Sequence, residues 1–427
     1  MSTKTLTSPS GKPTTTSSKQ VVSALLGNMF EHYDTALYGL LSPFLAPLFF
    51  PQQDPIISLL LAYALIPLGM MARPLGAWVI GSIGDKYGRT RALSYSLFGM
   101  ALVSLFMAIC PTFEQAGFYS PLFLGINRIL SNFLSAGESM GGAIYILENT
   151  PEKKHDWLSG LYNSSTMGGI VIASIGVSIL CSFSMIESGW RILYALGCIT
   201  GFYGFYLRKQ AEIKAPLVKR KNSLAIIKEN FRPFFKIFLA SGFSYANYSI
   251  AFLLTSGLIP LISSYTAAEM AHMNSALLAI DLFLLPVFGW LAARYSREKI
   301  MLFAALSISI TSLPLFAFLS EMDLSLIFII RTFIVIYGVA FSAPFHAWAQ
   351  AQVPNEHRYF LISLAYALGS QIIGGPTALI SLWLFKVGGT APFASIYWLF
   401  LSLGISFFLF RQMAVSSVKT RVQVEPT

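Results

Sequence analysis

Charged residues are scarce in this sequence. Lys, Arg, Asp and Glu together make up 11% of its 427 residues, whereas hydrophobic residues make up 55%. Soluble globular domains carry roughly 25% charged residues, so the composition excludes an ordinary soluble domain and indicates an integral membrane protein. Cysteine is also rare. Cys110, Cys181 and Cys198 lie in apolar segments without metal-ligand spacing, which predicts packing side chains and no metal site.

Apolar stretches of about 20 residues, long enough as helices to cross a hydrocarbon core of roughly 30 Å, recur along nearly the whole sequence. Helices are favoured over barrel strands because the alternating pattern of a membrane barrel is absent. We predict an all-α integral membrane protein with twelve transmembrane helices. The predicted spans are 21–49, 57–83, 92–110, 121–148, 158–184, 190–207, 234–263, 272–293, 299–319, 324–350, 358–385 and 391–411.

Basic residues are missing from alternate loops. The loops near 50–56, 111–120, 264–271 and 320–323 contain acidic residues but no Lys or Arg, and about 24 of the 29 basic residues lie in the tails and the other loops. Basic loops stay in the cytoplasm, so we predict a multi-pass protein of the cell (inner) membrane with both termini cytoplasmic. This topology also explains the net charge of +10 and argues against a nucleic-acid partner.

The longest connection is a basic segment that separates six spans from six. The first apolar stretch lacks a small-residue cleavage site, so no signal peptide is predicted. We predict a disordered cytoplasmic tail over residues 1–20 and an N-terminal six-helix half over residues 21–207. A basic cytoplasmic linker follows over residues 208–233. The chain continues with a C-terminal six-helix half over residues 234–411 and a cytoplasmic tail over residues 412–427.

The two halves repeat each other. GSIGDKYGRTRAL (81–93), after the second span, aligns with GWLAARYSREKIM (289–301), after the eighth, at an offset of 208 positions. At an offset of 203, Arg128 aligns with Arg331. Two related six-helix halves are a common plan of secondary transporters, which bind their substrate between the halves near the membrane midplane. The repeat therefore predicts a transporter with a central site.

Ionisable residues share one predicted depth in the membrane. At a rise of about 1.5 Å per residue, Glu31, Asp34, Arg73 and Glu138 lie about 15 to 20 Å from the cytoplasmic surface. Asp281 is the counterpart of Arg73 at the offset of 208. A charge at this depth costs about 2.5 to 3.5 kcal/mol, so such side chains normally face a cavity or one another.

Proton coupling is the functional interpretation of these carboxylates. A partly desolvated carboxylate can take a proton from one side of the membrane and release it on the other. Asp34 is the first candidate for this role, followed by Glu31 and Glu138. The alternative is a fixed ion pair of Arg73 with a carboxylate, which would only hold helices together. His32 and His346 are either packing side chains or additional proton sites. We predict no cofactor, with the proton as coupling ion and sodium as the alternative.

Arginine side chains in the cavity would offer a planar fork to a carboxylate. Helical spacing groups polar side chains into stripes on the first and fourth spans. Arg331 is either a further ligand or a helix anchor. The predicted substrate-binding residues are Arg73, Arg128, Asn28, Tyr38, Ser135 and Asp281.

The loop sequence GDKYGR at 84–89 resembles the cytoplasmic loop motif of the major facilitator superfamily. GNMFEHYDTALYG (27–39), RPLGAWVIGSIGDKYGR (73–89) and AGESMGGAIYILENTP (136–151) together resemble its metabolite:proton symporter branch, which includes proline/betaine, 2-oxoglutarate, citrate and shikimate transporters. The resemblance implies the major facilitator fold. It also implies a gating role for a set of loop residues, in which glycines allow close helix approach and charged groups favour one conformation. These residues are Gly81, Asp85, Gly88 and Arg89.

We therefore expect a monomeric secondary active transporter that takes up a small carboxylate-bearing metabolite with protons by alternating access. The metabolite would be a proline- or betaine-like zwitterion or an organic acid. The alternatives are an efflux transporter of metabolites or drugs and a non-transporting receptor or scaffold. The fifth span has glycines but no proline (STMGGIVIASIGVSIL, 165–180). The usual antiporter motif contains a proline, so its absence here favours uptake over efflux. No enzymatic activity is predicted, because no HExxH metal-ligand arrangement is present.

Overall fold

The structure, a computed structural model, describes residues 18–76, 79–80, 89–136, 143, 146–147, 150–210, 223–320, 323–354 and 357–424. All regular secondary structure in these ranges is helical, which confirms the all-α prediction. Twelve long helices, numbered α1 to α12, correspond in order to the twelve predicted spans. They are Ser18–Phe49, Pro55–Met70, Arg89–Ala108, Tyr119–Ser135, His155–Ser182, Ile186–Gln210, Phe231–Ile262, Ala267–Tyr295, Arg297–Ala317, Leu324–Ser342, Arg358–Gly388 and Ile396–Val424.

Length and composition make these helices suitable for a membrane. Among the described residues, eight helical stretches, those containing α2, α5 and α7 to α12, are long and apolar enough to cross a bilayer. Several helices begin at residues that satisfy the free amides of the first turn. Asp54 accepts a hydrogen bond from the Ile56 amide at 2.9 Å at the start of α2, and Asp323 accepts one from the Leu326 amide at 3.0 Å at the start of α10.

Two helices of the C-terminal half contain widened turns. Residues Ser249–Leu254 in α7 and Ser370–Gly374 in α11 form π-helical turns. The two helices approach closely beside the turn of α11, since a Cβ atom added to Gly369 would lie 2.0 Å from the Phe238 carbonyl oxygen of α7. Such turns break the regular i to i−4 hydrogen-bonding pattern and are frequent at functional sites.

Several predicted boundaries differ from the structure. Helix α12 continues to Val424, so most of the predicted tail 412–427 is helical. No Gly or Pro occurs between residues 412 and 425 to end the helix. A short helix, Ser223–Glu229, lies within the predicted linker 208–233. Other short helices are Phe113–Ala116 before α4, Phe345–Ala351 after α10 and a 3-10 turn, Ala391–Ser395, before α12.

The two halves meet along α5 and α8. Their backbones are close at the end predicted to be cytoplasmic, where a Cβ atom on Gly160 would lie 2.5 Å from the Leu285 carbonyl oxygen. At the opposite end, the hydroxyl groups of Ser174 and Ser275 are 3.0 Å apart. Glycine permits the close approach of α5 and α8, because any side chain at this position would meet the backbone of α8.

Charged contacts connect the halves at both ends. At the predicted cytoplasmic end, Arg297 at the start of α9 pairs with Asp156 at the start of α5, and its Nη2 lies 3.1 Å from Asp156 Oδ2. At the opposite end, Lys386 of α11 pairs with Asp54 before α2. Within the described ranges, an ion pair therefore joins the halves at each end.

Candidate functional site

A cavity of about 170 Å³ lies between the two halves. Its lining comes from α1, α2, α4 and α5 of the N-terminal half and from α7, α8, α10 and α11 of the C-terminal half, together with the short helix after α10. The polar and charged lining residues are Asn28, Glu31, His32, Thr35, Tyr38, Arg73, Arg128, Asn132, Tyr162, Asn163, Thr166, Ser244, Tyr245, Asn247, Tyr248, Asp281, Ser342, His346 and Tyr366. The volume is below that of pockets for drug-sized ligands, which are typically about 300 to 1,000 Å³, so the cavity fits a small solute.

Helix α1 contributes one polar face to the cavity. Asn28, Glu31 and Tyr38 line it, as predicted, and all three are buried. Asn28 also donates to the hydroxyl groups of Ser165 and Thr166 at 2.9 and 2.7 Å, which connects α1 to α5.

Asp34 is buried but does not belong to the lining of this cavity. A helix advances 100° per residue. Around the axis of α1, Asp34 therefore lies about 60° from Glu31, on the side of Glu31 that faces away from Asn28. Its side chain instead accepts a hydrogen bond of 2.5 Å from Ser104 of α3. The i, i+3 spacing predicts that Asp34 shares one polar face of α1 with Glu31. The part of this face that lines the cavity does not include Asp34.

Arg128 of α4 connects Asp34 with the cavity. Its guanidinium lies 4.4 Å from the centre of the Tyr38 ring, and it attracts the Asp34 carboxylate electrostatically. The Nε atom of Arg128 is buried without a hydrogen-bond partner among the described residues. A cation stacked on an aromatic face keeps part of its hydrogen-bonding capacity for a ligand.

Arg73 forms the second cationic group of the cavity. It lies just beyond the C-terminus of α2, and its Nε donates to Asn132 Oδ1 of α4 at 3.1 Å. Asn132 in turn donates to the Arg128 carbonyl oxygen at 3.0 Å. The two arginines are therefore linked through α4 and both line the cavity.

The C-terminal half contributes the acidic residue Asp281. The inward face of α8 carries Asn274, Leu278, Asp281 and Leu285 at spacings of three and four residues. Asp281 is only 7% exposed and lines the cavity. Its role as the counterpart of Arg73 stays a prediction.

Aromatic residues of α7 were missed by the sequence analysis. Tyr245, Tyr248 and Phe252 line the cavity. The rings of Tyr245 and Tyr248 have centroids 6.0 Å apart, and those of Tyr248 and Phe252 are 5.4 Å apart. Their i, i+3, i+7 spacing on one helix face was the available signal, but aromatic residues at this spacing are also typical of membrane helix packing.

His32 and His346, which were predicted to be either packing side chains or additional proton sites, both line the cavity. His32 is half-buried, and its Nδ1 lies 2.8 Å from the Asn28 carbonyl oxygen. His346 is buried, and its Nε2 lies 3.0 Å from Asn163 Oδ1 of α5. His346 therefore makes a polar contact between the halves.

Other predicted residues do not reach this cavity or lie outside the described residues. Ser135 is buried in α4 and donates to the Asn132 carbonyl oxygen at 3.2 Å, away from the lining. Glu138 and the loop residues Gly81, Asp85 and Gly88 lie outside the described residues, and of Arg89 only its backbone, at the start of α3, is described.

Arg331 is a structural residue of the C-terminal half. It is fully buried and donates to the Ala251 carbonyl oxygen at 3.0 Å, to the Ser256 hydroxyl at 3.2 Å and to Asn274. These partners fix α10 to α7 and α8. Arg331 thus anchors helices, whereas its counterpart Arg128 lines the cavity.

Comparisons with known proteins agree with this architecture. A sequence family described as "Sugar (and other) transporter" matches residues 20–210. A protein of Staphylococcus aureus named "Putative proline/betaine transporter" is 29% identical over 401 residues, which cover 89% of this chain and 84% of that protein. The "Proline/betaine transporter" of Escherichia coli is 24% identical over 388 residues, which cover 86% of this chain and 77% of that protein.

Solved structures give the same fold. The xylose transporter XylE from E. coli, in a partially occluded inward open conformation, has a TM-score of 0.71 at 14% identity and covers 92% of this chain and 98% of its own. A further structure, described as a D-xylose-proton symporter, has a TM-score of 0.71 at 15% identity. These comparisons describe transporters, in agreement with the prediction that the chain is not an enzyme.

Proposed function

We propose that the chain is a transporter of the major facilitator superfamily and that it takes up a small carboxylate-bearing metabolite together with protons by alternating access. The metabolite is a proline- or betaine-like zwitterion or an organic acid. The observation that carries the proposal is the small cavity between the halves, which has two arginines in its wall. A buried carboxylate, Asp34, interacts electrostatically with one of them, Arg128.

The arginines support recognition of a carboxylate. Arg73 and Arg128 belong to the same cavity wall, and each has part of its guanidinium unused by the contacts described above. Charge-assisted hydrogen bonds from arginine to carboxylate are frequently bidentate and stronger than neutral hydrogen bonds. A bound carboxylate would also compensate two cations that are costly at this depth in the membrane.

Asp34 supports coupling to a proton. Its carboxylate attracts Arg128, and protonation of Asp34 would remove that attraction. The Arg128 guanidinium would then be available to the substrate carboxylate, so proton and substrate binding would favour each other. Glu31 and His32, which line the cavity directly, are further proton sites in this proposal, and Glu138 is retained as a candidate.

The contacts at the two ends support alternating access. Opening toward the cytoplasm requires the separation of Arg297 from Asp156, and opening toward the opposite side requires the separation of Lys386 from Asp54. The widened turn of α7 lies beside the cavity, where it can bend as the halves rock. We place both termini in the cytoplasm, on the basis of the distribution of basic residues, and propose that one monomer forms the transport unit.

The proposal is tested with purified protein in liposomes that contain a pH-sensitive dye. Proline, glycine betaine, 2-oxoglutarate and citrate are added outside in turn. We expect acidification of the interior on addition of at least one of them, and none in protein-free liposomes. Absence of acidification with all four, with folded protein, would contradict proton-coupled uptake of these substrates and favour efflux or another coupling ion.

A further inference from the structure

Asp281 is a buried carboxylate on α8. It is 7% exposed, and within the described part of the chain it makes no hydrogen bond or ion pair. It lies on the inward face of α8 and lines the cavity between the halves. An ionised carboxylate removed from water is strongly unfavourable unless a cation or hydrogen-bond donors compensate it. A cationic group of a ligand in the cavity would supply this compensation.

Charged groups of both halves line the same cavity. Arg73 and Arg128 come from the N-terminal half, and Asp281 comes from α8 of the C-terminal half. Tyr245 and Tyr248 of α7 also line the cavity, with ring centroids 6.0 Å apart. One small ligand in this cavity can therefore meet cationic groups of one half and a carboxylate of the other.

We propose that Asp281 binds the cationic nitrogen of the substrate while Arg73 and Arg128 bind its carboxylate. This inference rests on the proposed uptake function and narrows it to one substrate class. The substrate is a small zwitterion in which a carboxylate and an ammonium group lie close together, such as an α-amino acid or its N-methylated analogue.

The chemistry of the wall favours this class over organic acids. The ammonium group of a zwitterion compensates Asp281 and can also contact the aromatic faces of Tyr248 and Phe252, which attract cations. A monocarboxylate without a cation leaves Asp281 unpaired. A dicarboxylate brings a second negative charge toward Asp281, and like charges in a site of this size repel each other.

The other acidic residue of the lining is less suited to this role. Glu31 lies on α1 in the N-terminal half, the same half as both arginines, and it already interacts with other groups of the protein. Binding of the ammonium group by Glu31 would place both charged ends of the substrate in one half. Binding by Asp281 makes the substrate a bridge between the halves, so that its occupancy can promote their closure.

The test compares substrates of equal shape with and without the positive charge. Glycine betaine is paired with 3,3-dimethylbutyrate, and proline with cyclopentanecarboxylate. Each compound competes for exchange of labelled proline or glycine betaine in proteoliposomes without a pH gradient, so that proton coupling does not enter the measurement. Wild-type protein is compared with Asp281→Asn, Asp281→Glu and Glu31→Gln.

We expect wild-type protein to prefer each zwitterion over its isostere by at least about 30-fold, the lower bound for loss of a desolvated charged partner. Asp281→Asn should reduce this ratio to near one, Asp281→Glu should retain part of it, and Glu31→Gln should leave the ratio high. Equal inhibition by both members of each pair in wild-type protein would overturn the inference, even if Asp281→Asn fails to fold.

The outcomes separate the inference from the proposed function. Exchange without discrimination between isosteres, or discrimination that survives in Asp281→Asn, contradicts the role of Asp281 while transport of carboxylates stands. Loss of discrimination in Glu31→Gln alone assigns the ammonium group to Glu31 and overturns the inference. Absence of exchange for every carboxylate tested, by folded wild-type protein, contradicts the proposed uptake function itself.

Discussion

Replacement of Arg128 by Gln removes a guanidinium from the wall of the cavity. Arg128 is 6% exposed and stacks on Tyr38 at 4.4 Å. If this group binds the substrate carboxylate, the variant should transport with a strongly raised KM. Loss of one partner of a desolvated charged pair costs about 2 to 5 kcal/mol, and each 1.4 kcal/mol is a factor of ten. We therefore expect KM to rise by at least about 30-fold.

The conservative variant separates charge from geometry. Arg128→Lys keeps a positive charge but loses the planar fork and much of the stacking on the Tyr38 ring. A stacked cation contributes about 0.5 to 2 kcal/mol, so we expect an increase in KM of about tenfold, smaller than that of Arg128→Gln.

The internal repeat supplies a matched control. Arg331 occupies the corresponding position of the C-terminal half, but its partners are Ala251, Ser256 and Asn274, and it does not line the cavity. Hydrogen bonds to a charged group contribute about 1.5 to 3 kcal/mol each. Arg331→Gln should therefore lower the free energy of unfolding by about 3 kcal/mol or more without changing the KM of the folded protein.

The assay measures exchange of labelled substrate in proteoliposomes as a function of concentration, together with thermal unfolding of the purified variants. The expected pattern is a raised KM for Arg128→Gln and a lowered melting temperature for Arg331→Gln. An unchanged KM in folded Arg128→Gln would refute the assignment of Arg128 to the substrate. A raised KM with normal stability in Arg331→Gln would refute its role as a helix anchor.

Three further predictions concern coupling and the two ends. Asp34→Asn should retain substrate exchange but lose proton-driven accumulation, and unchanged accumulation would remove Asp34 from the mechanism. The hydrogen bond from Lys386 holds the pKa of Asp54 below its ordinary range, so the pair is fully formed above about pH 4 and is lost as the pH falls through the lowered pKa. Because the reactive thiolate fraction of a cysteine itself changes with pH, labelling of a cysteine introduced into the cavity is compared at one neutral pH, where the pair is fully formed. Asp54→Asn should increase labelling from that side, and equal labelling in the variant and in wild-type protein would argue against a gating contact. Gly160→Val should prevent close approach of α5 and α8 and slow transport, whereas Gly404→Ala, where a Cβ atom meets nothing within 4 Å, should transport normally.

The repeat and the helix count were predictable from sequence because both follow from periodic patterns. Apolar stretches of membrane length require helices. The offset of 208 predicts that Arg73 and Asp281 are counterparts, and both residues line the same cavity. Their shared depth in the membrane stays a prediction from counting residues.

The direction of each side chain was less predictable. Asp34 differs from Glu31 by only 60° around α1, yet it contacts Ser104 instead of lining the cavity. Ser135 shares a helix with Arg128 but donates within its own helix. Such differences depend on which neighbouring helix packs on each face. The aromatic wall of α7 was missed for the same reason, since Tyr245 and Tyr248 are equally compatible with lipid-facing or buried positions in a sequence pattern.

The central claim is that substrate movement is coupled to proton movement, and uptake of labelled proline or glycine betaine against its gradient tests it most directly. Proteoliposomes with an alkaline interior are loaded with the same substrate concentration inside and outside, and the internal content is followed with and without a protonophore. We predict accumulation above the external concentration that requires the pH gradient, disappears with the protonophore and is absent in Asp34→Asn. Accumulation that persists without a pH gradient, or mere equilibration in its presence, would contradict the account.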